Sequence, residues 1–158
     1  MQVAAGTYHT VVSCTRGVYT FGSNDHGQLG LGSLQDAPVP VRVKSLGSSR
    51  DRIVQVAAGL AHTLFISESN RVWAAGICDL GQFKPLMQPS PTGCVPSHST
   101  FHSMPVRVQL PFLHPGEGPG PRPRLHEAKA GGHASVFLIR AQDEPVCGKL
   151  APSASHES

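Results

Sequence analysis

The feature that most constrains this chain is an internal repeat of about fifty residues. Residues 2–10 read QVAAGTYHT, and residues 55–63 read QVAAGLAHT, so seven of nine positions are identical without a gap. Self-similarity at this period is typical of repeat architectures, in which each small unit buries its apolar face against its neighbours. The sequence therefore predicts stacked copies of one unit.

The similarity extends well beyond this block. The run VYTFG at residues 18–22 matches VWAAG at residues 72–76, and VPVRV at residues 39–43 matches MPVRV at residues 104–108. A third copy begins near residues 130–139, with Ala-Gly followed by SVFLI, but no Val-aromatic-x-x-Gly segment comes after it. The chain thus holds about two and a half units.

Each unit is predicted to contain about four short strands. The candidates in the first unit are rich in Val, Thr and aromatic residues and are bounded by Gly or polar turns, and they lie at residues 3–5, 10–14, 18–21 and 39–43. The 17 Gly and 14 Pro residues also disfavour helices. No stretch shows the 3.6-residue apolar period of a helical solenoid. Four strands per repeat of this length predict an all-β fold: antiparallel four-stranded blades of an incomplete β-propeller, with irregular Pro/Gly-rich loops.

The glycine-rich run that follows the first block carries a family resemblance. Residues 17–32 read GVYTFGSNDHGQLGLG, and together with the repeated block they closely resemble the repeat of the regulator of chromosome condensation family. The resemblance covers residues 1–110 well and residues 126–140 weakly. It implies a seven-bladed propeller in complete members. Two and a half repeats are therefore expected to be a fragment or a truncated isoform, whose open outer faces associate with each other or with the missing blades.

The chain departs from the family pattern in its later units. Residues 83–85 read Phe-Lys-Pro where the first unit has Gly-Leu-Gly, and Ala134 stands where the aligned copies have His9 and His62.

The predicted organisation follows from the repeat and from the Pro/Gly-rich stretches between its parts. The segments are a first repeat at 1–52, a second repeat at 53–110 with a loop insertion at 84–103, a Pro/Gly-rich linker at 111–125, a partial third repeat at 126–140, and a disordered tail at 141–158.

The recurring glycines and histidines are interpreted as structural positions of the repeat. A catalytic group is needed once, whereas His9 and His62 occupy the same position in two units. We expect each imidazole to be buried and bonded to backbone in its turn, with the following Thr beginning a strand. Glycine in this setting allows positive φ or a close backbone approach. The structural repeat positions are Gly6, His9, Gly22, Gly27, Gly59, His62, Gly76 and Gly81.

A metal site is a weak alternative for the second loop. Cys94, His98 and His102, with Cys78 upstream, supply the thiols and imidazoles that zinc prefers. Their spacing lacks the C-x-x-C pair that fixes two ligands on one turn, so scattered loop residues are the favoured interpretation. The glycines of residues 27–32 lack the lysine of a phosphate-binding loop. We expect no metal, no cofactor and no catalytic residue.

The sequence favours a protein–protein interaction module over an enzyme, since propeller blades present variable loops on a rigid frame. The alternative implied by the resemblance is guanine-nucleotide exchange on a Ran-type small GTPase by a complete propeller. Contacts to such a partner are expected in the loops at residues 23–37 and 78–104. The formal charge of +3 is too weak to predict binding to nucleic acid or chromatin. No segment predicts membrane insertion, and a cytoplasmic or nuclear location with reduced thiols is expected.

Overall fold

The computed structural model describes residues 1–46, 51–77, 101–108, 124–132 and 134–140. Within these ranges the chain forms ten strands and no helix, and therefore no helix long and apolar enough to cross a membrane. The strands are β1 (Gln2–Ala5), β2 (His9–Cys14), β3 (Gly17–Gly22), β4 (Ala37–Arg42), β5 (Ile53–Ala58), β6 (His62–Ser67), β7 (Val72–Ile77), β8 (Phe101–Val108), β9 (Arg124–Gly131) and β10 (Ala134–Arg140).

The strands form three antiparallel sheets, one for each repeat. The first sheet has the order β1-β2-β3-β4, the second has the order β5-β6-β7-β8, and the third consists of β9 and β10. The registers are equivalent: Ala5 pairs with Thr10 in the first sheet, as Ala58 pairs with Thr63 in the second. We call these sheets the first, second and third blades. The predicted all-β fold with antiparallel four-stranded sheets is confirmed.

Side chains alternate between the two faces of each blade, as the pleat of a strand requires. We call one face of each blade the leading face and the other the trailing face. In the first blade, the leading face carries Val3, Ala5, Thr10, Val12, Tyr19 and Phe21. The trailing face of that blade, which packs on the second blade, carries Ala4, His9, Val11, Ser13, Val18 and Thr20. The leading face of the second blade carries the equivalent Val56, Ala58, Thr63, Phe65, Trp73 and Ala75.

Two hydrophobic cores fill the joints between blades. In the first joint, the trailing face of the first blade packs on the leading face of the second, where Phe65 and Ala75 are completely buried. In the second joint, Leu64 and Ala74 on the trailing face of the second blade pack with Ala128 of β9. Each core therefore contains residues of two neighbouring blades.

The observed strands begin a little earlier or later than the sequence predicts. β4 is Ala37–Arg42 rather than residues 39–43. β8 begins at Phe101, inside the stretch predicted as a loop insertion, and β9 begins at Arg124, inside the predicted linker. The rest of the insertion and of the linker, and the predicted tail, lie outside the described residues.

Candidate functional site

The first joint contains a buried hydrogen-bond relay between the two blades. His9 Nε2 lies 2.7 Å from Thr63 Oγ1, and the Thr63 hydroxyl donates to the carbonyl oxygen of Gln28 at 2.7 Å. A hydroxyl has one proton to donate. Because the proton of Thr63 goes to Gln28, His9 must donate from Nε2, and its neutral tautomer is thereby fixed.

The second joint repeats this arrangement. His62 Nε2 lies 2.9 Å from Ser135 Oγ, and Ser135 occupies the register position of Thr63. The expectation that these imidazoles bond to backbone was wrong for Nε2 of both residues. The Nε2 atom of each histidine instead lies within hydrogen-bond distance of a hydroxyl of the next blade, because the trailing face points across the joint. β2 and β6 also begin at the His rather than at the following Thr.

His9 is held uncharged by its surroundings. Burial, with a smaller contribution from the neighbouring His62, lowers the pKa of His9 from 6.5 to about 4. Its Nδ1 is buried and has no hydrogen-bond partner among the described residues. A neutral imidazole leaves only an acceptor unpaired there, whereas a protonated ring would leave a buried donor and a charge unpaired.

We predict that the free energy of unfolding falls as the pH is lowered from 6.5 towards 4. The unfolded chain binds a proton on His9 at the ordinary pKa, while the folded chain does not bind it until about pH 4. Protons therefore favour the unfolded state in this interval. Urea unfolding at several pH values, compared with the His9→Gln variant, measures the effect. The variant should lose part of the slope, and identical slopes would contradict the assignment.

Gly6 and Gly59 leave room for the imidazoles of their own repeats. A Cβ at Gly6 would lie 2.7 Å from His9 Nδ1, and a Cβ at Gly59 would lie 2.7 Å from His62 Nδ1. Neither glycine has a positive φ. Their predicted structural role is thus explained by close approach rather than by the backbone conformation.

Gly22 and Gly76 serve a different purpose, at the ends of β3 and β7. Their φ angles are 112° and 97°, and an added Cβ would collide with the carbonyl oxygen of Tyr8 and of Ala61, respectively. The positive φ angle and the collision with a carbonyl oxygen each exclude a side chain at both positions. Gly81 lies outside the described residues.

The loop at residues 23–36 is folded around a buried asparagine. Asn24 Nδ2 donates to the carbonyl oxygens of Ser33 and Gln35, and its Oδ1 accepts from the backbone N–H of Leu29. Asp36 Oδ1 accepts from the backbone N–H of Asn24 at 2.7 Å. Asn24 therefore fixes both sides of the loop, and Asp36 holds its backbone N–H.

Asp25 makes a side-chain contact within the loop. Its Oδ2 accepts from the side-chain hydroxyl of Ser23 at 3.4 Å rather than from a backbone donor.

The same loop closes against the second blade through its glycines. Gly27 has a φ of 75°, and a Cβ placed on it would lie 2.5 Å from Ser103 Cα. The N–H of Gly32 donates to the carbonyl oxygen of Ser103 at 2.8 Å. The middle of the loop, residues 27–31, is consequently part of the joint. Only Asp25, His26 and residues 32–36 are exposed for contacts with a partner.

Turns and loops from all three blades meet at one end of the described structure, which we call the loop face. The N–H of Thr7 donates to the carbonyl oxygen of Gly59 at 3.2 Å, and the N–H of Leu60 donates to that of Gly132 at 2.8 Å. The loop face comprises residues 6–8, 23–36, 59–61, 101–104 and 131–132.

The loop face exposes apolar and acidic side chains. Tyr8 is 69% exposed, Leu34 is 45% exposed and Met104 is 56% exposed. Within these segments the charged residues are Asp25 and Asp36, and no Lys or Arg occurs. All exposed Lys and Arg residues of the described part lie outside the loop face, and they are Arg16, Arg42, Lys44, Arg52, Arg71, Arg107 and Lys129. The loop face itself therefore carries acidic but no Lys or Arg side chains, which matters for the choice of partner.

The structure offers no support for a zinc site in the part of the chain that it describes. No cluster of three metal-binding side chains occurs among those residues. His102 lies in β8 opposite Gly76, and burial lowers its pKa. Cys78, Cys94 and His98 lie outside the described residues.

Sequence reasoning missed three polar residues of the joint: Asn24, Thr63 and Ser135. One signal was available. The third repeat keeps a hydroxyl at Ser135, in register with Thr10 and Thr63, although it has lost the histidine.

Four-stranded antiparallel sheets that stack face to face, with a histidine relay in each joint, define the chain as part of a β-propeller. A model of the regulator of chromosome condensation (RCC1) repeat matches residues 17–66, and a second model with the same description matches residues 2–28 and 53–82. Together they cover residues 2–82 without a gap. The chain belongs to the RCC1 repeat family.

Two relatives illustrate how this repeat is used. The X-linked retinitis pigmentosa GTPase regulator of Canis lupus familiaris is 38% identical over 101 residues, which are 63% of this chain and 9% of the relative. The E3 ubiquitin-protein ligase highwire of Drosophila melanogaster is 57% identical over 49 residues, which are 30% of this chain and 1% of the relative. The chain thus spans less than a tenth of either protein.

A solved structure agrees with the fold. Prp20p from Saccharomyces cerevisiae, whose structure was determined together with its binding properties to Gsp1p and histones, superimposes with a TM-score of 0.63 at 20% identity. The match covers 89% of this chain and 31% of Prp20p. The β-propeller architecture is confirmed, and the described blades correspond to a part of the ring.

Proposed function

We propose that this chain is a protein–protein interaction module that binds through its loop face. The observation that carries the proposal is the exposure of Tyr8, Leu34 and Met104 on an end whose backbone is fixed by bonds between blades. A rigid frame with exposed aromatic and aliphatic side chains loses little conformational entropy on binding. The acidic residues beside them favour a partner with basic groups around an apolar centre.

The relatives support this proposal without identifying the partner. A GTPase regulator and a ubiquitin ligase both carry the repeat within much longer chains. Prp20p was studied for its binding to Gsp1p and histones, which are proteins. The relatives therefore favour a protein as the partner of this chain. Which protein is bound depends on loops that differ between members of the family.

Affinity capture with matched variants tests the proposal. Tyr8→Ser/Leu34→Ser removes two exposed apolar groups from the loop face, and Val54→Ser removes one that is 40% exposed near the opposite end. We expect a set of proteins that the wild-type chain and Val54→Ser capture equally and that the double variant loses. Equal capture by all three chains would place binding elsewhere.

Nucleotide exchange on a Ran-type GTPase is the second candidate, favoured by the relative that is named as a GTPase regulator. Exchange in this family uses a whole propeller face, and the chain corresponds to 31% of Prp20p. We therefore predict that catalytic amounts of the chain leave the rate of nucleotide release from a GDP-loaded Ran-type GTPase unchanged, with a complete propeller of the family as positive control. Acceleration of release would show that the described blades suffice for catalysis.

A further inference from the structure

The loop face presents a serine at the spacing from an acidic residue that one class of kinase recognises. Asp36 is the third residue after Ser33, and both residues are exposed. Kinases select their substrates in part by the charge at fixed positions from the acceptor, and acidophilic kinases require a carboxylate three residues after the serine. The hydroxyl of Ser33 makes no hydrogen bond to any described residue. No contact of this side chain therefore has to break before it reacts.

The backbone around Ser33 is held in place and is open on one side. The carbonyl oxygen of Ser33 accepts from Asn24 Nδ2 at 2.8 Å. After Ser33 the chain runs through residues 34–36 without a turn and enters β4, and these three residues are all exposed. Kinases bind their substrates as extended segments, so this conformation presents the acceptor and Asp36 together.

The carboxylate of Asp36 is fixed by one oxygen and free at the other. Its Oδ1 accepts from the backbone N–H of Asn24 at 2.7 Å. Its Oδ2 makes no hydrogen bond or ion pair to any described residue. A basic group of a kinase therefore finds a positioned negative charge without disturbing the loop.

The sequence contains two Ser-x-x-Asp motifs, and the structure distinguishes them. The second motif begins at Ser48 and ends at Asp51. Asp51 is 9% exposed, and its carboxylate accepts from the Ser69 hydroxyl at 2.7 Å and from the Arg71 guanidinium at 3.3 Å. A kinase would have to break these contacts to read the charge, so only the motif at Ser33 is expected to be used. Ser48 itself lies outside the described residues.

We propose that Ser33 is phosphorylated by an acidophilic kinase and that the phosphate strengthens the binding of basic partners to the loop face. The phosphoryl donor is the nucleoside triphosphate that the kinase binds. Ser33 Oγ forms a bond to the terminal phosphorus while the bond from that phosphorus to the bridging oxygen breaks. The hydroxyl proton passes to a base of the kinase, and the nucleoside diphosphate leaves.

The effect on partners rests on the proposed function of the loop face. The phosphate adds a charge of about −1.5 to −2 next to Leu34. The segments of the loop face contain no Lys or Arg that would neutralise this charge. The phosphate oxygens therefore stay available to a partner, whose basic groups gain charge-assisted hydrogen bonds at the edge of the apolar contact.

Incubation of the full chain with casein kinase II and ATP, followed by mass spectrometry of its peptides, tests the modification. We expect phosphate at Ser33 and none at Ser48. Asp36→Asn keeps the oxygen that accepts from Asn24 but removes the charge, so it should slow phosphorylation at least about tenfold. An unmodified Ser33, an unchanged rate for Asp36→Asn, or equal phosphorylation of Ser48 would each overturn the proposal.

Affinity capture tests the effect of the phosphate on partners. The phosphorylated chain should retain at least about threefold more of the proteins that depend on Tyr8 and Leu34 than the unmodified chain does. The gain should disappear at about 0.5 M salt, and Ser33→Ala treated with the same kinase should not show it. Equal capture with and without the phosphate would overturn the regulatory role. If no captured protein depends on Tyr8 and Leu34, the loop-face function fails and the effect on partners fails with it, while mass spectrometry decides the phosphorylation separately.

Discussion

Replacing Thr63 with Val is expected to lower the free energy of unfolding by about 2–6 kcal/mol. The two side chains have nearly the same shape, so the core of the joint is retained. The substitution removes the hydroxyl that accepts from His9 and donates to Gln28, and it leaves a buried donor and a buried acceptor unpaired at roughly 1–3 kcal/mol each. Urea unfolding monitored by Trp73 fluorescence and by circular dichroism measures the change.

Two variants control for this result. Thr63→Ser keeps the hydroxyl and should recover most of the loss. Thr10→Val makes the same substitution in the same register of the first blade, where no side-chain hydrogen bond occurs among the described residues, and it should cost less than about 0.5 kcal/mol. Equal losses for Thr10→Val and Thr63→Val would show that strand propensity, rather than the relay, determines the effect.

Gly27→Ala is expected to destabilise the chain by a similar amount, about 2–5 kcal/mol. A residue with a side chain costs roughly 1–2 kcal/mol in the left-handed conformation that Gly27 adopts. The new methyl group would also lie 2.5 Å from Ser103 Cα, so the loop must move away from the second blade. Such overpacking adds roughly 1–3 kcal/mol.

Gly32→Ala separates these two costs within the same loop. Gly32 has a φ of 82°, but a Cβ there would lie 3.5 Å from the Met104 side chain, which is an ordinary contact. It should therefore show the conformational cost alone, about 1–2 kcal/mol. A loss as large as that of Gly27→Ala would contradict the role given to the contact with Ser103.

The repeat in the sequence was sufficient to predict the blades, because strand formation depends on local patterns. The strands predicted at residues 3–5 and 10–14 differ from β1 and β2 by one residue, and the copy at residues 55–63 overlaps β5 and β6. The occurrence of a histidine at the same position in two repeats also indicated that His9 and His62 are structural, and both are buried at a joint.

The contacts between blades could not be predicted in the same way. The partner of His9 lies 54 positions away in Thr63, and this pairing depends on how far one sheet is shifted over the next. The role of Asn24 depends on the path of an irregular loop, which residue patterns do not determine. The middle of the loop at residues 23–37, which the sequence offers for contacts with a partner, is buried for this reason.

The joints and the loop face are physically linked. The hydrogen bonds that seat one blade on the next also fix the turns that carry Tyr8 and the loop that carries Leu34. Weakening a joint should therefore loosen the loop face as well as the core.

A double-mutant cycle of His9→Leu and Thr63→Val tests most directly whether a buried imidazole–hydroxyl bond joins the blades. The four free energies of unfolding give a coupling energy that excludes effects of either site alone. We predict a coupling of at least about 1 kcal/mol, because the second substitution removes the partner that the first left unpaired. Additivity within about 0.5 kcal/mol would contradict the account.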